Sequence, residues 1–174
     1  MHSGNTDKQK QFMQFYEQTH MRLTRYVQSV IWNREDARDI ISETILRAYE
    51  TFDRIHKPES FVYYLFKIAS RLIINKERKK KWWGFYDEST ALNRSDDNYS
   101  TSERAEVKDL YNALNQLPVK QREAVVLFEI SGFSLNEIQE MQGGTLSGVK
   151  SRVKRGRETL KKILTEEELL VTLK

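Results

Sequence analysis

Apolar residues recur along the chain at spacings of three and four, and no strictly alternating run bounded by hairpin turns interrupts them, so an all-α fold is expected. A first helix is expected over residues 8–31, with Phe12, Phe15 or Tyr16, Leu23, Tyr26, Val27 and Val30 available for burial. Asn33 stands three residues before Asp36, as an N-cap does, and opens a second helix with Ala37, Ile40, Ile41, Thr44, Ala48 and Phe52 as its inner stripe. Pro58 disfavours helix at Lys57, which predicts a loop over residues 53–60. A third helix then starts near Ser60 and runs towards Lys81, with Phe61, Leu65, Ile68, Ala69 and Leu72 facing inward.

Over residues 83–102 the composition shifts to Gly, Asp, Asn, Ser and Thr, the mark of a linker. A new helix opens near Ser100, where Glu103 has capping-box spacing, and ends at Leu117. Pro118 suits the first position of the next helix, which carries Val125, Val126 and Phe128 and stops at Gly132. The chain therefore divides into two small helical domains joined by a flexible acidic linker, with residues 1–82, 83–104 and 105–174 as its parts, and each domain is expected to fold as a separate unit.

The second segment carries the most specific local signal. Ser134-Leu135-Asn136-Glu137 has the spacing of a capping box, and Phe133 with Ile138 that of a hydrophobic staple. Gly143-Gly144 can take the left-handed conformation that ends a helix, and Thr145 can cap the one that follows. Leu146, Val149, Val153, Leu160 and Ile163 or Leu164 then define a buried stripe. At about 100° per residue, Ser147, Lys150, Ser151, Lys154 and Arg155 fall on the opposite side. This is the pattern of a helix-turn-helix whose second helix enters a major groove, short side chains permitting close approach and cations meeting phosphate. The bland alternative is that Lys150, Arg152, Lys154, Arg155 and Arg157 merely solvate a surface helix.

Charge strengthens the nucleic-acid reading. Residues 1–86 hold 16 basic against 10 acidic side chains, residues 87–109 hold 3 against 7, and residues 110–174 hold 10 against 8. Two basic segments flanking an acidic one suit two lobes that each meet a polyanion. In the first, Arg71, Lys76, Arg78, Lys79, Lys80 and Lys81 follow Phe61, Tyr63, Tyr64 and Phe66. Rings beside cations suit unstacked single-stranded bases, although the same aromatics also fit a core. The longest apolar run, from Phe61 to Phe66, is too short to cross a bilayer, and residues 1–11 lack the features of a secretory signal, so a cytoplasmic protein is expected. The chain has no cysteine, and His2, His20 and His56 show no ligand spacing. Neither a metal, nor a cofactor, nor catalytic residues are expected.

Taken together, these residues resemble the sigma-70 family of RNA polymerase sigma factors, of the extracytoplasmic-function (ECF) type. Leu117-Pro118, Arg122, Gly132, Glu137-Ile138, Val149-Lys150-Ser151-Arg152, Arg155 and Arg157 resemble region 4. Asp36-Ala37-Arg38-Asp39, Glu43, Arg47, Ala48, Phe61, Leu65, Ile68-Ala69 and Arg78 resemble region 2. The resemblance implies a protein that makes no covalent bonds itself but recruits core polymerase and opens promoter DNA. It implies that Asp39, Ser42, Glu43 and Leu46 bind the clamp helices of the largest polymerase subunit. His56, Lys57, Ser60, Tyr63, Arg71, Asn75 and Arg78 would meet the minus 10 element, and Ser147, Lys150, Ser151, Arg152, Lys154, Arg155 and Arg157 the minus 35 element. A contact with the flap of the second-largest subunit and an anti-sigma partner are implied as well. Gly148 and Gly156 stand where the family commonly has Thr and Ala, and each should cost roughly 0.5 to 1 kcal/mol of helix stability relative to Ala. The rival from another class is a stand-alone helix-turn-helix regulator that never joins polymerase. Such regulators usually dimerise, and the chain shows no sustained heptad seam.

Overall fold

The computed structural model describes residues 3–55, 58–83 and 101–172, with helices and turns and no strand among them. In chain order the helices are α1 (Ser3–Glu17), α2 (His20–Val30), α3 (Arg34–Glu50), α4 (Pro58–Trp83), α5 (Thr101–Asn115), α6 (Val119–Val125), α7 (Leu135–Gln142) and α8 (Leu146–Thr172). A 3-10 turn over Phe52–Arg54 follows α3, and a π turn over Val126–Ile130 extends α6. Most of the segment read as the linker lies outside the described residues.

The helix expected over residues 8–31 is in fact two. Thr19 is buried, its hydroxyl donates to the Phe15 carbonyl at 2.7 Å, and its N–H donates to Tyr16 O at 2.9 Å. These bonds take up the last carbonyls of α1 and turn the chain, as hydroxyl side chains competing with the helix ladder do. The bend folds α1 onto the end of α3, where the Phe12 ring meets Tyr49, Phe52 and Phe61 edge-on at 5.2–5.5 Å. Such edge-to-face contacts add about 0.5–1.5 kcal/mol beyond area burial.

Asn33 caps α3 as expected, with Oδ1 accepting the Asp36 N–H at 2.9 Å. Ala37, Ile40, Thr44 and Ala48 are buried, and α3 packs along α4. In α4 the buried residues are Phe61, Leu65, Phe66, Ile68, Ala69 and Ile73, while Leu72, expected inside, is only half-buried. Phe61 and Phe66 are therefore core side chains, which leaves Tyr63 and Tyr64 as the half-exposed aromatics of this segment.

In the second segment Pro118 precedes α6 as its cap rather than occupying the first helical position. Arg122 organises this corner. Its Nε donates to Leu114 O at 2.9 Å, its Nη2 to Asn115 O and Leu117 O at 3.0 and 3.1 Å, and its Nη1 to Val30 O at 2.6 Å. One guanidinium thus satisfies carbonyls freed at the C-terminal ends of α5 and α2, where a cation also complements the helix dipole. The last of these bonds joins the two segments, and so does the Phe66 ring, 4.8 Å from Tyr26 and 4.9 Å from Phe133. Although the sequence divides the chain in two, the helices on either side of the linker share one continuous buried cluster.

Candidate nucleic-acid and docking surfaces

The helix-turn-helix is built by local rules. The Ser134 N–H donates to Glu137 Oε2 at 2.8 Å, Ser134 Oγ accepts the Glu137 N–H at 3.3 Å, and Phe133 and Ile138 are both buried around them. Gly143 and Gly144 then take φ of 74° and 90°, conformations that side chains rarely adopt. Thr145 Oγ1 accepts the Gly148 N–H at 3.1 Å and starts α8. Val149 and Val153 are buried, and Gly156 continues their stripe. A Cβ at Gly156 would lie 2.5 Å from Val125 Cγ2 and 3.2 Å from Leu117 Cδ2. The glycine read as a weakness of the helix is the point where α8 closes onto α6.

This seating turns Ser147, Lys150, Lys154 and Arg155 outward, all exposed, with Ser151 half-buried beside them. Lys154 makes only a loose surface pair with Glu158 at 3.9 Å. Two other cations assigned to DNA are engaged within the protein. Arg152 is half-buried, and its Nη2 donates to Gly143 O at 3.2 Å across the turn. Arg157 pairs with Glu129 and lies over the Phe128 ring at 5.2 Å. The resemblance placed both at DNA; only the fold supplies the turn preceding α8 and the π turn opposite it.

On the first segment, Ser60, Arg71, Asn75 and Arg78 are exposed, whereas His56 and Lys57 lie outside the described residues. Tyr63 is half-buried, and its hydroxyl donates to Glu140 Oε2, on α7, at 2.6 Å. Burial and then this carboxylate hold the Tyr63 phenol above its ordinary pKa, and the same bond holds the Glu140 carboxyl below the usual range. Lys67 stands 3.7 Å from that oxygen and 5.3 Å over the Tyr63 ring.

The residues expected to bind polymerase share one surface. Asp39, Ser42 and Leu46 are exposed and Glu43 half-buried along an open groove of 780 Å³ between α3 and α4. Asn75, Lys76, Arg78 and Lys79 form its other wall, so the groove carries an acidic and a basic side with an apolar spot at Leu46. Lys76 pairs with Asp36 at 2.6 Å and approaches Asp39 at 3.9 Å. Asn75 and Arg78, assigned to DNA, thus border the same groove as the carboxylates expected to bind polymerase.

Glu123 was not singled out in the sequence. It is fully buried, accepts from Tyr26 Oη at 2.5 Å and Gln142 Nε2 at 2.7 Å, and has its carboxyl pushed up by burial, with those bonds and the Arg152 charge opposing. Its only signal was a carboxylate directly before the apolar run Ala124-Val125-Val126-Leu127. Among the described residues there is no cluster of three or more side chains fit to hold a metal ion, and no helix long and apolar enough to cross a membrane.

Known proteins match both segments. Residues 15–83 match the model of sigma-70 region 2, and residues 108–160 that of sigma-70 region 4. The ECF RNA polymerase sigma factor SigW of Bacillus subtilis is 34% identical over 149 residues, covering 79% of this chain and 80% of that protein. The RNA polymerase sigma factor SigV of the same organism is 30% identical over 144 residues, covering 81% and 83%. In three dimensions the chain is similar to the sigma factor RpoE of Bartonella quintana, solved in complex with the anti-sigma factor NepR, with a TM-score of 0.75, 26% identity and coverage of 90% and 98%. Two helical segments, a capped helix-turn-helix with an outward basic face, and relatives that match across the linker lead to one conclusion: the chain belongs to the ECF branch of the sigma-70 family of RNA polymerase sigma factors.

Proposed function

We propose that this sigma factor divides its work between the two faces described above. Sigma factors bind core RNA polymerase and direct it to promoters, and they are initiation factors rather than catalysts. Ser147, Lys150, Ser151, Lys154 and Arg155 on α8 read the minus 35 element in the major groove. Arg152 and Arg157 support them by holding the turn and the helix in place. Ser60, Tyr63, Arg71, Asn75 and Arg78, with His56 and Lys57, meet the minus 10 element. Asp39, Ser42, Glu43 and Leu46 dock on the clamp helices of the largest subunit, and the second lobe meets the flap of the second-largest.

The single observation that carries this reading is the outward basic face of α8, fixed by the Ser134 and Thr145 caps and the Gly156 contact. A stand-alone regulator has no need of the first segment, which matches region 2 over residues 15–83. The working boundaries are residues 1–82 for the first domain, 83–104 for the linker and 105–174 for the second. An anti-sigma protein is the regulatory partner, by analogy with the Bartonella quintana complex, and the cytoplasm is where the factor acts. Transcription in vitro with core enzyme on a random promoter library tests the reading. Selected templates should share two spaced elements, and a chain that fails to co-elute with core or to start transcripts would refute it.

A further inference from the structure

The pair Gly143-Gly144 joins α7 to the helix that carries the minus 35 residues, and at φ of 74° and 90° it is made of the residue type with the most backbone freedom. Two side chains hold it. Arg152 Nη2, from α8, donates to Gly143 O at 3.2 Å, and Gln139 Nε2, from α7, donates to Gly144 O at 3.0 Å. Gln139 also acts through its backbone, where its carbonyl accepts the Gly143 N–H at 2.8 Å. It therefore grips both glycines and fastens the end of α7 to the residue before Thr145, whose Oγ1 starts α8. Gln139 is half-buried and stands outside the sets assigned to DNA and polymerase.

Base readout and phosphate contact demand different things of this joint. Hydrogen bonds to a base edge need donor and acceptor held within about 0.5 Å and about 10–20° of the productive geometry. Attraction between a cation and phosphate falls off smoothly with distance, and such contacts carry no sequence information. A looser joint before α8 thus spoils readout by Ser147 and Ser151 while Lys150, Lys154 and Arg155 still find phosphate.

We propose that Gln139 is a positioning residue for promoter selectivity: its bond to Gly144 O fixes the angle at which α8 leaves the turn, and so sets how sharply the protein tells its minus 35 element from other sequence, without touching DNA itself. The inference rests on the reading of α8 as the minus 35 helix.

The test uses holoenzyme assembled from the full chain and core polymerase, with two templates. One carries a minus 35 element selected from the random promoter library, and the other is the same template with that element scrambled. The ratio of apparent affinities, by gel retention, measures discrimination. Gln139→Met keeps the length of the side chain without a donor, and Gln139→Lys puts a donor back at comparable reach; circular dichroism checks that each is folded at the assay temperature. Gln139→Ala, the better helix former, replaces Gln139→Met should that variant not fold. Discrimination should fall about fivefold in Gln139→Met, the lower end of what one base contact contributes, with affinity for the scrambled template unchanged. It should recover in Gln139→Lys. A ratio equal to the parent's in Gln139→Met, equal losses on both templates, or no recovery in Gln139→Lys would overturn the positioning role and leave the minus 35 reading standing. A parent that selects no upstream element from the library would remove α8 from promoter reading and this role with it.

Discussion

Replacing Gly156 by alanine sets two known effects against each other. In an open helix position the change is favourable by about 0.8–1 kcal/mol, because glycine is the more costly residue to order. Here the added methyl would stand 2.5 Å from Val125 Cγ2 and 3.2 Å from Leu117 Cδ2, both buried side chains. Neither is the free end of a flexible surface chain, so α8 must lift from α6 or the core must shift, and overpacking of this kind costs about 1–3 kcal/mol. The net expectation is a loss of about 1 kcal/mol, which lowers Tm by about 2–4 °C in a chain of this size. Urea and thermal unfolding followed by circular dichroism measure it directly. Gly148→Ala is the internal comparison, since its Cβ meets the Thr145 hydroxyl at 3.2 Å and otherwise only the Arg152 side chain at 3.8 Å. Gly156→Ala should be the less stable of the two. A Gly156→Ala protein more stable than the parent by the full helix-propensity gain would refute the close approach.

On duplex minus 35 DNA, Lys150→Ala with Arg155→Ala should weaken binding and reduce the slope of log K against log salt by about 2, one unit for each lost phosphate contact. Arg152→Met should weaken binding with the slope unchanged, because Arg152 holds the Gly143 carbonyl rather than phosphate; a matching drop in slope would return it to the DNA surface. Asp39→Lys with Glu43→Lys should abolish co-elution with core polymerase while helical content stays the same, since the exposed pairs lost contribute about 0–1 kcal/mol each; retained core binding would misplace the docking face. Glu123, faced by Tyr26 from α2, Gln142 from α7 and the Arg152 charge from α8, has its carboxyl raised by burial. Folding therefore takes up a proton, and this part of the stability is complete below the ordinary glutamate pKa of about 4.3 and lost as pH rises through the higher folded-state value. Urea midpoints measured upward from pH 4 should fall more in the parent than in Glu123→Gln; parallel curves would show that Glu123 does not titrate with folding.

What could be read in advance was what depends on neighbours in sequence. The Asn33 cap, the Ser134 capping box and the glycine pair at 143 and 144 need no partner more than a few residues away, and each is found where the residue types place it. The break at Thr19 was missed because it depends on burying a hydroxyl that periodicity counts as neutral. Glu123 and Arg122 were out of reach for a plainer reason: their decisive partners, Tyr26 and Val30, lie 97 and 92 residues away. Arg152, placed at DNA by the resemblance, reaches back over the turn before α8, as side chains near a helix start do, and that partner shows only in the fold. Tyr63 was placed at the minus 10 surface by the resemblance, and only the fold shows which carboxylate it meets.

The contact between the segments is intramolecular, and this gives the stretch between Trp83 and Thr101 a role independent of any contact it makes. As a tether it sets the effective concentration at which one face meets the other. By loop-closure entropy each doubling of a tether's length costs about 0.6 kcal/mol of contact, roughly threefold in the equilibrium. Insertions or deletions there would change how readily the two faces part while every residue assigned to promoter or polymerase stays as it is.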